Sequence, residues 1–152
     1  MKRLFAIFAV LAAFTTSVHA DNDVDTPITF DQLPVTAQQF IKKNFPDAQV
    51  VFAKKEQEFL WGGKTDTTYD VMFQNGAKLE FYENGDWKEI DCKYLAVPAG
   101  IVPEQILTVA NGYHPGLPIV QIERDVREYE VKLINGVELT FDMRFNLTDY
   151  DN

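Results

Sequence analysis

The side chains that perform most enzymatic chemistry are nearly absent from this sequence. Ser17 is its only serine, Cys92 its only cysteine, and His19 and His114 its only histidines. A Ser-His-Asp triad would need a serine in the folded chain, and Ser17 lies in an apolar N-terminal stretch. A zinc site built from cysteine and histidine would need more of both. Cys92 and His114 form the one conceivable nucleophile–base pair. Cys92 follows a predicted strand and His114 ends a predicted helix, so nothing in their spacing brings them together. A lone cysteine in such a place is more often a small apolar residue.

Two short motifs fail on their own definitions, and a third carries little weight. Gly63-Lys64-Thr65 resembles the end of a phosphate loop, but Glu58 stands where the first glycine is required. Asp21, Asp23 and Asp25 alternate as in a calcium loop, yet Thr26 replaces the glycine and Gln32 the terminal glutamate. That leaves at most weak, nonspecific attraction of calcium to an acidic segment. Asn146-Leu147-Thr148 matches a glycosylation sequon, a three-residue pattern that usually arises by coincidence. Carboxylate pairs are abundant among 23 acids, and solvation accounts for those on an outer strand face. No catalytic residue, metal or cofactor is expected, and the chain is read as a non-enzyme.

Residues 1–20 read as a secretory signal peptide. Lys2 and Arg3 precede an apolar run from Leu4 to Phe14, and Val18-His19-Ala20 offers a cleavage site before Asp21. The run is short for a membrane span, which needs about 20 residues. Cleavage would leave 132 residues with 12 basic and 23 acidic side chains, a net charge of −11. Such a charge repels nucleic acid and anionic membranes. A soluble, periplasmic or secreted monomer is expected, with no membrane insertion after cleavage. Residues 21–27 read as a flexible acidic leader, and residues 28–152 as a single domain.

An internal repeat organises that domain. Tyr69 to Phe81 reads YDVMFQNGAKLEF and Tyr129 to Phe141 reads YEVKLINGVELTF, offset by 60 residues with six of thirteen positions identical. Each copy reads as two alternating strands around Asn75-Gly76 or Asn135-Gly136, the preferred pair for a type I′ hairpin turn. Helices are expected at Pro34–Asn44 and Pro103–Gly112, each started and followed by proline. Further strands are expected at Gln49–Phe59, Asp86–Asp91, Pro118–Val126 and Asn146–Tyr150. The fold class is therefore α+β: two tandem helix-plus-antiparallel-sheet units, 28–94 and 95–152, sharing one curved antiparallel sheet with helices on one face.

Period-2 alternation assigns the faces. Tyr69, Val71, Phe73, Leu79 and Phe81 should meet the helices, as should their counterparts from Tyr129 to Phe141. Asp70, Met72, Lys78, Glu80 and Tyr82, with Glu130, Lys132 and Glu138, should form a mixed outer face. The first unit differs by a long connection, Phe59 to Asp66, and by a second turn at Asn84-Gly85. Its aromatics suggest a partner surface: Phe59, Trp61, Met72, Tyr82, Trp87 and Tyr94. Trp87 matches Leu147 of the second unit and could equally belong to the core.

Leu33-Pro34, Ala37, Phe40-Ile41 and Phe45-Pro46, then a Tyr-x-Val strand, an Asn-Gly turn and Leu-x-Phe, all repeated, resemble the PepSY-like family. Its members are small secreted proteins typical of Bacteroidetes, also labelled β-lactamase-inhibitor-like. The resemblance covers nearly all of the mature chain. It implies helices packed on a curved antiparallel sheet and a place in the periplasm or cell envelope, but no activity, because fold does not give function. The related PepSY domain of protease propeptides is thought to inhibit. The expected role is thus binding of an unknown protein or peptide of the cell envelope, with inhibition or modulation as its purpose. The alternative is a small-molecule-binding or envelope-stress sensing module, which would need a concave apolar pocket between the units.

Overall fold

A computed structural model describes residues 23–152. The expected signal peptide and cleavage site lie outside the described residues. The strands are β1 (Asp23–Pro27), β2 (Val50–Leu60), β3 (Lys64–Phe73), β4 (Lys78–Tyr82), β5 (Trp87–Asp91), β6 (Ile119–Arg124), β7 (Glu128–Leu133), β8 (Glu138–Asp142) and β9 (Leu147–Asp151). They form one open antiparallel sheet in which sequence neighbours are spatial neighbours throughout. Two helices interrupt the meander, α1 (Val35–Asn44) before β2 and α2 (Glu104–Tyr113) before β6. Pro34 and Pro103 occupy the N-caps, where a missing N–H costs nothing.

Both helices and strands β2 to β9 share one core. Ala37 and Ile41 of α1 and Ile106 and Ala110 of α2 are buried in one cluster with Val71, Leu79, Ile90, Ile122, Val131 and Leu139. Phe40 meets Phe81 edge-on at 5.8 Å, and Phe45 lies 5.3 Å from Phe73. The alternation in β3, β4, β7 and β8 places the expected apolar residues on this helix side.

Three expectations need correction. The acidic leader is a strand in its described part. Asp23 to Pro27 pairs in register with Glu58 to Lys54, and Asp25 bonds the Lys54 ammonium at 3.0 Å. The backbone of a long neighbouring strand offers a ladder to any extended segment beside it, whatever its composition. The long connection from Phe59 to Asp66 is also mostly strand. Only Trp61, Gly62 and Gly63 turn, and Leu60 already pairs with Lys64.

The third correction concerns the turns. A type I′ turn needs positive φ at both central residues, but only the glycines have it, Gly76 at 86° and Gly136 at 92°. The N–H of Gly76 donates to the Phe73 carbonyl, and the Phe73 N–H donates to the Ala77 carbonyl. These are three-residue loops ending in a left-handed residue, the next most common hairpin class. Asn75 serves differently: its side-chain oxygen accepts the Ala77 N–H at 3.0 Å. The turn after β4 repeats the pattern with Gly85, and the turn after β8 repeats it with Phe145 at φ 64°.

Candidate functional site

The face away from the helices is built from residues two apart along each strand, and the register lines them up across the sheet. Asp70 pairs with Glu80, Glu80 with Glu89, Glu89 with Glu123, and Glu123 with Glu130. Five carboxylates thus stand side by side over roughly 19 Å, at about 4.8 Å per strand. Like charges directly opposite one another destabilise a sheet. Two lysines offset part of this. Lys54 reaches Asp70 at 3.3 Å and Glu56 at 2.8 Å, while Lys88 reaches Glu80 at 2.7 Å. Glu89 accepts a hydrogen bond from the neutral Gln121 amide at 2.6 Å, its only hydrogen bond among the described residues.

The titration behaviour follows from this geometry. Burial raises the Glu89 carboxyl to about 7, and Glu123 and Glu80 on either side add to the rise. Burial likewise raises Asp70 to about 6, against the opposing pull of Lys54. Glu123 is raised by burial too, with Lys88 opposing. A second row lies two residues further along the strands: Met72, Lys78, Asp91, Gln121, Lys132 and Glu138, successive partners in register.

Members of both rows floor a groove of about 400 Å³ that crosses from β2 to β7 over the β5–β6 junction. Phe52, Met72, Tyr94 and Ile134 line it, with Asp70, Glu80 and Glu89 of the acidic row and the lysines Lys54, Lys78, Lys93 and Lys132. The volume falls in the range of ligand-binding clefts. It sits where the second half of the sheet joins the first, the place a pocket between units would occupy.

The expected surface aromatics are scattered. Met72 and Tyr94 both line the groove, and Tyr94 is 84% exposed. Phe59 and Trp61 are exposed at the far end of the β2–β3 hairpin. Trp61 precedes Lys64, which lies eight residues up β3 from Met72, roughly 27 Å at strand rise. Trp87 belongs to the core, at 9% exposure, and is corrected as a surface residue. The Arg124 guanidinium lies over its ring at 4.0 Å and donates to its carbonyl at 2.9 Å. The Tyr82 hydroxyl donates to the Arg124 carbonyl at 2.7 Å. Tyr82, Trp87 and Arg124 therefore tie β4, β5 and β6 together, and the first two are not free anchors.

Sequence reasoning placed Asp70, Glu80 and Glu130 on the outer face but missed Glu89, Gln121 and Glu123. The two hairpins disclose their own registers. The pairing of β5 with β6 depends on how the long excursion through α2 returns, and no local signal sets it.

The candidate nucleophile is inert. Cys92 is buried, and burial pushes its thiol up to about 11, away from the thiolate that attacks. His114 stacks on Tyr150 and shares a hydrogen bond of 2.9 Å with its hydroxyl. Among the described residues, no three histidine, cysteine, aspartate or glutamate side chains are placed to hold a metal ion. Asp23 and Asp25 are alternate residues of a strand rather than ligands of a loop.

Comparison with known proteins fits this picture. The family model described as "Putative beta-lactamase-inhibitor-like, PepSY-like" matches residues 67–149. A "putative periplasmic protein" of the DUF2874 family from Bacteroides vulgatus is 50% identical, with a TM-score of 0.77 over 84% of this chain and 97% of its own. A "putative calcium-regulated periplasmic protein" from Bacteroides thetaiotaomicron is 46% identical, with a TM-score of 0.78 over 84% and 97%. A "putative periplasmic protein of unknown function" from Bacteroides vulgatus is 34% identical, with a TM-score of 0.74 over 86% and 99%. No curated protein matches the chain. Among the described residues no helix is long and apolar enough to cross a membrane. The protein is periplasmic or secreted, like these relatives. With residues 67–149 matched by the family model and 50% identity to one solved relative over 84% of its length, the chain belongs to the PepSY-like family.

Proposed function

We propose that this protein is a non-enzymatic binding module of the periplasm whose ligand lies in the groove on the helix-free face. The groove itself supports the reading. It is a cleft of about 400 Å³ with apolar sides and a charged floor on a sheet held rigid from behind by two helices. A rigid floor with apolar flanks is how binding clefts gain orientation and affinity together. Restraint of an envelope protein, the sense of the family's inhibitor-like description, is the role such a face would serve. The two halves are proposed to be copies of one unit. The register Tyr69↔Phe81, Val71↔Leu79 recurs as Tyr129↔Phe141, Val131↔Leu139, which supports that origin. The groove would then be a product of the duplication, since residues of both copies line it.

The relative described as calcium-regulated invites a metal-based reading. The described residues of this chain do not fit a calcium cage, and calcium is not part of the proposal. The test is amide chemical-shift mapping of the ¹⁵N-labelled exported protein against periplasmic extract, split into fractions above and below 3 kDa. The expected response is at Asp70, Glu89, Gln121 and Lys132 with one of the fractions. Shifts confined to Trp61 and its hairpin, or none with either fraction, would defeat the groove reading.

A further inference from the structure

The shape and the charge balance of the groove narrow what it takes. Crossing from β2 to β7 covers five interstrand spacings, about 24 Å. Over that length a volume of about 400 Å³ leaves room for a chain rather than for a compact ring system. Apolar side chains mark the two ends. Phe52 and Met72 are register partners on β2 and β3, and Ile134 directly follows β7. Phe52 and Ile134 are 44% and 45% exposed, open to an incoming group. Met72 and Ile134 stand four strands apart, roughly 19 Å. Between them run the polar members of the second row, Lys78, Asp91, Gln121 and Lys132.

Charge is compensated along this path. The lining holds as many lysines as carboxylates. Lys54 pairs with Asp70 and Lys93 with Asp91, while Lys132 and Glu80 have Glu138 and Lys88 just outside the lining. Lys78 stands in register between Met72 and Asp91. Glu89 accepts from the neutral Gln121 amide, and burial raises its carboxyl to about 7, which leaves it about half charged at neutral pH. An ion entering the groove would give up its water for counter-charges that are already engaged.

We propose that the groove takes an extended, uncharged peptide segment lying across the strands, with one apolar side chain seated at Phe52 and Met72 and a second, about six residues on, at Ile134. This rests on the groove reading above and names the chemistry of its occupant. An extended chain advances about 3.4 Å per residue, so about six residues cover the span between the two ends. An even interval also puts both apolar side chains on one face of the segment. Peptide N–H and C=O groups between them can bond Lys78, Asp91 and Gln121. A hydrocarbon chain of the same length would cover those polar side chains and leave them unmet. The apolar ends supply affinity and the compensated middle penalises charge, so attraction and exclusion act together.

The test is amide-shift titration of the exported protein with four blocked heptapeptides. The first has leucine at both ends and threonine and glutamine between. The second and third carry arginine or glutamate at the centre, and the fourth has its far leucine moved to the centre. The first should bind about 10-fold more tightly than each of the others, the scale of one partly buried leucine or one desolvated charge. Its shifts should fall at Met72, Gln121 and Ile134, and Ile134→Ala should lower its affinity to that of the fourth. A charged peptide that binds as tightly as the first would overturn the exclusion of charge. Equal affinity of the first and fourth would overturn the two-ended seat. Binding of none would overturn the inference, and the extract titration would still decide the groove reading by itself. A neutral monoglyceride that displaces the first peptide at equal concentration would put an acyl chain in its place and refute the commitment to a peptide.

Discussion

Replacing Glu89 by glutamine should make the protein more stable, and more so as pH rises. The Glu89 carboxyl is raised from 4.5 to about 7 in the folded state, so the native protein holds this proton more tightly than the unfolded chain. Stability contributed by the group is then highest below about 4.5 and is lost as pH climbs through about 7. At 1.36 kcal/mol per pH unit, the full shift corresponds to a ceiling of about 3 kcal/mol. Solvent screening at the groove reduces it to about 1–2 kcal/mol. Glutamine keeps the hydrogen bond to Gln121, because an amide oxygen accepts from Nε2 as the carboxylate does. The assay is urea unfolding of the wild type and the variant from pH 4.5 to 8.5. The difference should be near zero at the acid end and reach its full value above pH 8. Asp70 is raised in both proteins and cancels in the comparison. Parallel curves, or a variant less stable at pH 8, would refute the idea that the carboxylate row is under electrostatic tension.

Further outcomes follow from the packing. Gly85→Ala should lose about 2–4 kcal/mol in the same assay, since φ is +86° and a Cβ would sit 2.9 Å from the Cβ atoms of Pro34 and Thr36. Trp61→Ala should shift stability by no more than about 0.5 kcal/mol, because the side chain is fully exposed. Cys92 should react with a disulfide reagent at pH 8 about 100-fold more slowly than a free thiol and become reactive on denaturation, as its burial and high pKa require.

Much of this architecture is legible locally. Periodicity at Tyr69–Phe81 and Tyr129–Phe141 gave the helix-facing residues, and proline punctuation bounded both helices. The misreadings share a physical cause. Asn-Gly signalled a turn but not its class, because a three-residue loop with glycine last satisfies the same pair. Composition marked Asp23–Pro27 as loop, while pairing is a backbone property that the neighbouring strand decides. Trp87 was ambiguous until the register of β5 set it inward and Arg124 closed over it. The groove was the least legible part. Its acidic row exists only because β5 and β6 align Glu89 with Glu123 across a long excursion, and nothing in either segment announces that alignment.

The central claim is that binding occurs in the groove and not at the exposed aromatic hairpin. Met72→Trp places a bulky side chain between Phe52 and Lys78 in the groove and leaves the hairpin untouched. Trp61→Ala does the reverse. Titrating both variants with the active extract fraction decides between the sites: Met72→Trp should abolish the shifts at Glu89 and Gln121, and Trp61→Ala should retain them. Retention in Met72→Trp with loss in Trp61→Ala would contradict the account.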